Sequence, residues 1–166
     1  FYDDSSRNVY VTGVTGTDGK SSVAWMLAQA WHKLHGCAGL SGSLGLGRFD
    51  DLQTATHTTP FAVALQQWFL DCAQQHVQNA VLEVSSHGLH QHRVDGTAFD
   101  CAVLTNLGRD HLDYHGSFDH YAAAKARLFS MPGLRCAVVN VDDAFGQRMA
   151  SELPAGVRLI SYGTCA

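Results

Sequence analysis

The chain has 166 residues, of which 46% are hydrophobic and 16% charged, and its net charge is −4. That length suffices for one compact α/β domain burying about 70% of its unfolded surface, with no need of disulfide or metal staples. With no basic or acidic block, the sequence argues against nucleic acid or an anionic membrane as a partner, so any phosphate binding must come from individually placed groups.

The five cysteines, Cys37, Cys72, Cys101, Cys136 and Cys165, are scattered and never spaced Cys-x-x-Cys. They read as reduced, mostly buried thiols of a cytoplasmic protein. The sequence has no signal-peptide pattern and no apolar run long enough to span a bilayer, so the expected compartment is the cytoplasm.

Residues 1–8 are polar and are expected to be a linker. From Val9 an apolar, β-prone run leads into Gly13-Val14-Thr15-Gly16-Thr17-Asp18-Gly19-Lys20-Ser21-Ser22, after which an amphipathic helix is expected from about Val23. Strand, Gly-rich turn and helix in that order are the parts of a phosphate-binding loop. Gly16 and Gly19 permit positive φ and let backbone N–H groups approach a polyphosphate. Lys20 can reach the terminal phosphates, the Ser21 hydroxyl can hold Mg²⁺, and the helix N-terminus adds its positive dipole end. The general motif has a glycine where this chain has Val14, so the loop is the shorter Gly-Thr-x-Gly-Lys-Ser form.

Val23, Met26, Leu27, Ala30, Trp31 and Leu34 recur at helical spacing up to a stop at Gly36, with Trp25 and Trp31 expected in packing roles. A short strand is expected at residues 37–41. Residues 42–60 read as a long loop of functional type, closing on Thr58-Thr59-Pro60, which also reads as a helix N-cap with Pro60 in the first turn. A helix follows over residues 61–76.

The apolar run at residues 80–84 suits a central parallel strand covered on both faces. Its one acid, Glu83, is costly there without a cation, and is a candidate for holding Mg²⁺ or positioning water. The next loop carries His87, His90 and His92. No Cys or acidic partner stands at ligand spacing, so zinc is disfavoured, and Ser85 and Arg93 are the better contacts for a substrate hydroxyl or anion. A further strand over residues 100–107 feeds a loop crowded with Asp110, His111, Asp113 and His115, of which His111 is a candidate metal or phosphate ligand. Ser117 can cap a helix through Tyr121 and Lys125 to Phe129, where pattern alone makes Lys125 a solvated lysine. A strand at 136–141, a helix at 145–153 and a strand at 157–161 complete a six-strand, mostly parallel, three-layer α/β sandwich.

Five blocks in order, Gly16-Thr17-Asp18-Gly19-Lys20-Ser21, Glu83-Val84-Ser85-Ser86-His87-Gly88-Leu89, Gln91-His92-Arg93-Val94, Asn106 through Gly116, and Tyr121-x-x-Ala124-Lys125, resemble the Mur ligase family. Within it they are most similar to the MurE-type branch, which adds the third residue of the peptidoglycan stem. The resemblance implies the P-loop-containing, ATP-binding central domain of an ATP-dependent amide ligase. ATP and Mg²⁺ would be bound through Gly16, Thr17, Asp18, Gly19, Lys20 and Ser21, with Asn140 against the adenine. Lys20, Glu83, His111 and Lys125 would be catalytic, and Ser21, Glu83, His111 and Lys125 would serve magnesium, the lysine in carbamylated form. Thr58, Thr59, Ser85, Gln91 and Arg93 would hold the UDP-N-acetylmuramoyl-dipeptide, and the second substrate would be meso-diaminopimelate or L-lysine.

Asp18 departs from the family's asparagine, and Ser21 from its commoner threonine. The resemblance also implies N- and C-terminal domains not included here. Residues 1–8 would be a linker from the first, residues 9–166 a central domain incomplete at its C-terminal end, and this piece alone inactive. Two alternatives stand beside that reading: another Mur or folylpolyglutamate-type ligase, and a non-catalytic nucleotide-binding module.

Overall fold

The computed structural model describes residues 5–164. In chain order it contains β1 (Tyr10–Thr15), α1 (Lys20–His35), β2 (Gly39–Gly42), β3 (Gly45–Arg48), β4 (Asp51–Gln53), α2 (Ala62–Gln74), β5 (Asn79–Glu83) and α3 (Ser86–His90). It continues with β6 (Cys101–Leu104), α4 (Leu112–His115), α5 (Phe118–Ala126), β7 (Cys136–Asn140), α6 (Ala144–Glu152) and β8 (Arg158–Tyr162). The strands form one eight-stranded sheet in the order β4-β3-β2-β5-β1-β6-β7-β8. Every pairing is parallel except β2 with β3 and β3 with β4.

Side chains of successive strand residues go to opposite faces, and two apolar cores form accordingly. Val11, Leu82, Leu104 and Val139 meet α2, α5 and α6 in the larger core, which also holds Phe69, Phe99 and Leu128. Val14, Val81 and Val103 face α1 across Ala24 and Ala28 in the smaller. The three layers are those expected, with two more strands. β3 and β4 lie inside residues 42–60, which the sequence presents as a loop.

Other boundaries move for local reasons. Helix α1 begins at Lys20, three residues earlier than expected, because Gly19 turns the chain at φ 80° and the Val23 N–H already bonds the Gly19 carbonyl. Its close face is made by alanines, while Met26 and Leu34 of the expected stripe are 58% and 71% exposed. Trp25 lies against Phe49, and Trp31 against Tyr10. Gly36 ends the helix at φ 79° as expected. Thr58-Thr59 is not the cap of α2, whose N-cap is Phe61 with no side-chain hydrogen bond. Ser117 does cap α5, accepting from the His120 N–H.

Residues Ser5–Asn8 form a 3₁₀ turn with Ser5 and Ser6 buried, and the Ala98 N–H donates to Ser6 Oγ. The expected linker's first four residues, 1–4, and the Cys165 thiol lie outside the described residues. Cys72 and Cys101 are buried, and Cys37 and Cys136 partly so. Among the described residues no helix is long and apolar enough to cross a membrane.

β1 sits between β5 and β6, and the chain leaves it in one direction for β2 and reaches β6 on the other side. Loops following the carboxyl ends of β1, β5 and β6 therefore converge at this switch point, where open α/β sheets place their ligand crevice.

Gly146 of α6 tests the packing of the outer layer. A Cβ there would lie 1.8 Å from the Asn140 carbonyl oxygen, a backbone atom of β7. Exchanging glycine for alanine inside a helix ordinarily stabilises by about 1 kcal/mol. Here Gly146→Ala is expected to destabilise by about 2 kcal/mol through overpacking, read as a lower urea midpoint.

Candidate functional site

The turn after β1 is held from the side by the segment after β6. The Thr17 N–H donates to the Asn106 carbonyl at 3.0 Å, and the Asp18 N–H to Asn106 Oδ1 at 3.0 Å. Thr105 Oγ1 and Asn106 Nδ2 both donate to the Asp18 carbonyl, at 2.6 and 3.1 Å. Gly16 (φ 147°) approaches so closely that a Cβ would stand 1.8 Å from Thr105 Oγ1. These contacts fix the turn so that the amides at the start of α1, free of intrahelical partners, open onto a cleft of about 570 Å³.

That cleft gathers side chains from five segments: Thr17, Asp18, Lys20 and Ser21; Ser43; His57, Thr58 and Thr59; Glu83, Ser85, His87 and Arg93; and His111, Tyr121 and Lys125. Most of the site residues expected from the sequence are in its wall. Gly16, Gln91 and Asn140 are set back from it. Asn140 donates from Nδ2 to the Thr105 carbonyl and accepts at Oδ1 from the Asp142 N–H, so its amide braces the β6–β7 edge.

Glu83, the last residue of β5, is 1% exposed. Ser21 Oγ donates to its Oε2 at 2.8 Å and the Ser43 N–H to its Oε1 at 2.9 Å. Gly42 makes room, since a Cβ there would fall 2.0 Å from Oε1. No ion pair among the described residues neutralises this carboxylate. Lys20 Nζ rests on the Gly16 and Thr17 carbonyls at 3.1 and 2.8 Å. Burial lowers the Lys20 pKa, and the charges of Glu83, Asp18 and Asp110 push it back up.

Lys125 is not solvated. It is 1% exposed, donates from Nζ to the Gly16 carbonyl at 2.6 Å, and lies 4.7 Å from the centroid of the Tyr121 ring. Burial lowers its pKa to about 7, the positive charge of Lys20 adds to the shift, and Asp110 and Asp18 oppose it. Tyr121 is held in turn by its hydroxyl, 2.9 Å from Thr17 Oγ1.

After β5, the Ser85 N–H donates to Thr59 Oγ1 at 2.9 Å, and that hydroxyl is within hydrogen-bond distance of the Glu83 carbonyl and Ser85 Oγ. Ser85 Oγ also caps α3. Thr58 pairs with Ser43 through their hydroxyls at 2.9 Å. Arg93 donates to the Thr59 carbonyl at 2.8 Å and from Nε to Gln91 Oε1 at 2.9 Å, while Gln91 Nε2 donates to the Tyr114 hydroxyl. His111 adopts φ 52°, contacts Asp110 through Nε2 at 3.3 Å, and packs edge-on to His87. Of the histidines of the 85–94 loop, His87 and His90 both pack against Tyr114 and His115, while His92 turns away to Asp95.

Ser43, His57 and the bracing role of Thr105 were not singled out by sequence. The glycines around Ser43 were the available signal for close approach to a neighbouring strand. Among the described residues no set of three or more His, Cys, Asp or Glu side chains converges as a metal site. The Ser21 hydroxyl with the Glu83 carboxylate instead fits Mg²⁺ in its usual phosphate-bound form, in which one or two protein groups complete a shell of phosphate oxygens and waters.

A model of the Mur ligase middle domain matches residues 14–166. A UDP-N-acetylmuramoyl-L-alanyl-D-glutamate–2,6-diaminopimelate ligase of Alkalilimnicola ehrlichii is 52% identical over 97% of this chain and 32% of its own length. A solved structure of a ligase with the same name superimposes with a TM-score of 0.86 at 38% identity, covering 95% of this chain and 32% of that one. Mycobacterium tuberculosis folylpolyglutamate synthase, solved with ADP and AMPPCP, shares the fold at a TM-score of 0.70 and 19% identity, over 95% and 43% of the two chains. The chain spans about a third of the length of the curated relatives it matches.

The burial of Lys125 has a measurable sign. Its folded pKa of about 7 lies below the ordinary 10.5. The unfolded chain therefore binds more protons between those values, and stability rises with pH across that window. Below about pH 7 the full cost of charging the buried amine is carried. Lys125→Met in CO₂-free buffer is expected to be more stable than the parent at pH 6.5. The difference should shrink by pH 9, read from urea midpoints at both values.

Proposed function

Because the chain belongs to the Mur ligase family, we propose that it is the ATP- and Mg²⁺-binding part of a ligase that joins 2,6-diaminopimelate to UDP-N-acetylmuramoyl-L-alanyl-D-glutamate. The observation that carries this reading is the meeting, in one cleft, of Lys20 and Ser21 from the phosphate loop with Glu83, Arg93 and Lys125. The choice of diaminopimelate over lysine rests on the names of the relatives. The 19% identity to folylpolyglutamate synthase, against 52% to the diaminopimelate ligase, disfavours the folate branch.

In this reading the D-glutamate carboxylate of the sugar-dipeptide attacks the γ-phosphorus of ATP, giving an acyl phosphate and ADP. The amine of the incoming amino acid then attacks the acyl carbon, forming the amide, and releases phosphate and a proton. The chain's own groups act mainly by position and charge. The α1 amides and Lys20 cradle the phosphates, and the Lys20 ammonium offsets charge that develops on the transferring group. Ser21 and Glu83 would hold Mg²⁺, which when bound shields the phosphate oxygens. His111, which lines the same cleft, would be a further ligand.

Arg93 and Ser85 offer charged and neutral donors to the sugar-dipeptide, with Thr58 beside them. Thr59 is engaged with Ser85 and Arg93, so its part is to fix both. Asn140 is assigned to the adenine on family resemblance. A neutral Lys125 amine can add CO₂ with loss of a proton, and the carbamate anion would serve magnesium.

Calorimetric titration with Mg·ATP tests the phosphate site. Saturable binding by this chain is expected, lost in Lys20→Ala. Asp18 adds a carboxylate to the same wall, so Asp18→Asn is expected to tighten binding a few-fold at low salt, an effect that fades as salt screens it. Absence of binding in all three would overturn the reading of this chain as an ATP-binding part. Amide formation is tested in the intact ligase by phosphate release dependent on both the sugar-dipeptide and diaminopimelate. Release with either omitted would overturn the ligase assignment.

A further inference from the structure

Phe61 is 55% exposed at the N-cap of α2 and does not line the cleft, yet its ring is not idle. The Arg93 guanidinium carbon stands 4.3 Å from its centroid. The His57 ring closes on the other aromatic partner of this stack, 4.8 Å from the Phe61 centroid and edge-on. His57 is itself tied down, with Nδ1 3.0 Å from Thr56 Oγ1.

We propose that Phe61 is a positioning residue: a ring, backed by His57, that fixes the plane of the Arg93 guanidinium so that its free donors face an anionic group of the substrate. A guanidinium carries five N–H groups. The Nε–H and one N–H of a terminal nitrogen go to Gln91 Oε1, and one N–H of the other terminal nitrogen goes to the Thr59 carbonyl. One N–H remains on each terminal nitrogen. Two such donors in one plane are what a carboxylate or phosphate meets in bidentate fashion.

In-plane hydrogen bonds to Gln91 and Thr59 fix rotation within the plane but resist tilting poorly. The guanidinium carbon lies over the Phe61 ring, and the cation–π attraction there opposes its swinging away. The exposed phenylalanine thus has a function for which an aliphatic residue of similar size would not substitute. Its placement follows from chain direction. Pro60 and Phe61 lead directly out of the Thr59 turn that accepts from Arg93, so the carbonyl and the ring reach the guanidinium from consecutive stretches of one segment.

This inference rests on the reading of Arg93 as a substrate contact, and the test separates the two. In the intact ligase, Phe61→Leu is expected to raise KM for the UDP-sugar-dipeptide about 2- to 5-fold, the range that an exposed cation–π contact supports. KM for ATP and the unfolding midpoint should stay at the parent values, and Phe61→Tyr, which keeps the ring, should restore the sugar-dipeptide KM. Arg93→Lys, which keeps charge but loses the fork, should raise the same KM more strongly. Phe61→Leu added to Arg93→Lys should then change it little further.

An unchanged sugar-dipeptide KM in Phe61→Leu, with Arg93→Lys impaired, would overturn the positioning role and leave Arg93 in place. Equal shifts in the ATP and sugar-dipeptide KM values, or a lowered unfolding midpoint, would make Phe61 a structural or docking residue instead. An unaffected Arg93→Lys would overturn the substrate contact itself, and the inference with it.

Discussion

Glu83 and Lys125 both sit at 1% exposure at the carboxyl end of one sheet, and burying ionisable groups there dictates much of the surrounding backbone. A buried carboxylate or ammonium is tolerated where hydrogen bonds or a partner charge replace the lost water. Glu83 obtains Ser43 N–H and the Ser21 hydroxyl, which requires β2 to pass so close that Gly42 has no space for a Cβ. Lys125 obtains the Gly16 carbonyl, which is turned toward it by a φ of 147° that favours glycine. The two glycines are therefore set by the charges they serve. The turn after β1 is shaped partly by the lysine behind it.

The parts of the fold legible in sequence were those whose cause is local. β1, β5 and β6 read as buried strands because their apolar runs are continuous, and the β1 turn read as a phosphate loop because Gly16, Gly19, Lys20 and Ser21 stand at fixed offsets. The β3–β4 hairpin was not legible. Its strands are four and three residues long, and Gly45 and Gly47 adopt φ near 150°, so no alternation of polar and apolar residues marks them. Pairing with β2 and the Trp68 indole bond to the Gly47 carbonyl hold the hairpin in place, both of them tertiary. In α1 the large apolar residues suggested one stripe, whereas the face that approaches the sheet is made by Ala24 and Ala28. Small residues permit that approach, and a pattern weighted by side-chain size points elsewhere.

The site shows the same division. Glu83 was marked by the cost of an acid in an apolar strand, a cost visible in sequence. Lys125 was not, because a lysine on a helix with alanine neighbours looks solvated until α5 is docked beneath the phosphate loop. Family resemblance, not pattern, singled it out. Thr59 carries an ordinary capping signal beside a proline, but its hydroxyl is engaged by Ser85 and the Glu83 carbonyl, partners 24 and 26 positions away. Local competition between a cap and a tertiary bond was decided by the tertiary bond, and α2 begins without a side-chain cap.

A chain with net charge −4 has no bulk attraction for a polyanion, yet its cleft sets Lys20, Lys125 and Arg93 against Glu83 and Asp18. Under the proposed function selectivity comes from placement: the amides at the start of α1 and Lys20 would serve the ATP phosphates, and Arg93, held by Gln91, Thr59 and Phe61, would serve the sugar-dipeptide. Glu83 and Ser21 are hydrogen-bonded in the same cleft, where a divalent cation would be shared with phosphate. An unmodified Lys125 adds to the positive side only when protonated, and its pKa of about 7 makes that contribution partial near neutrality. A neutral amine beside Lys20 lowers the repulsion that two ammonium groups would suffer in one small volume. It also leaves a lone pair on the amine, so the burial that makes the lysine expensive as a cation is what would let it add CO₂ under the proposed function.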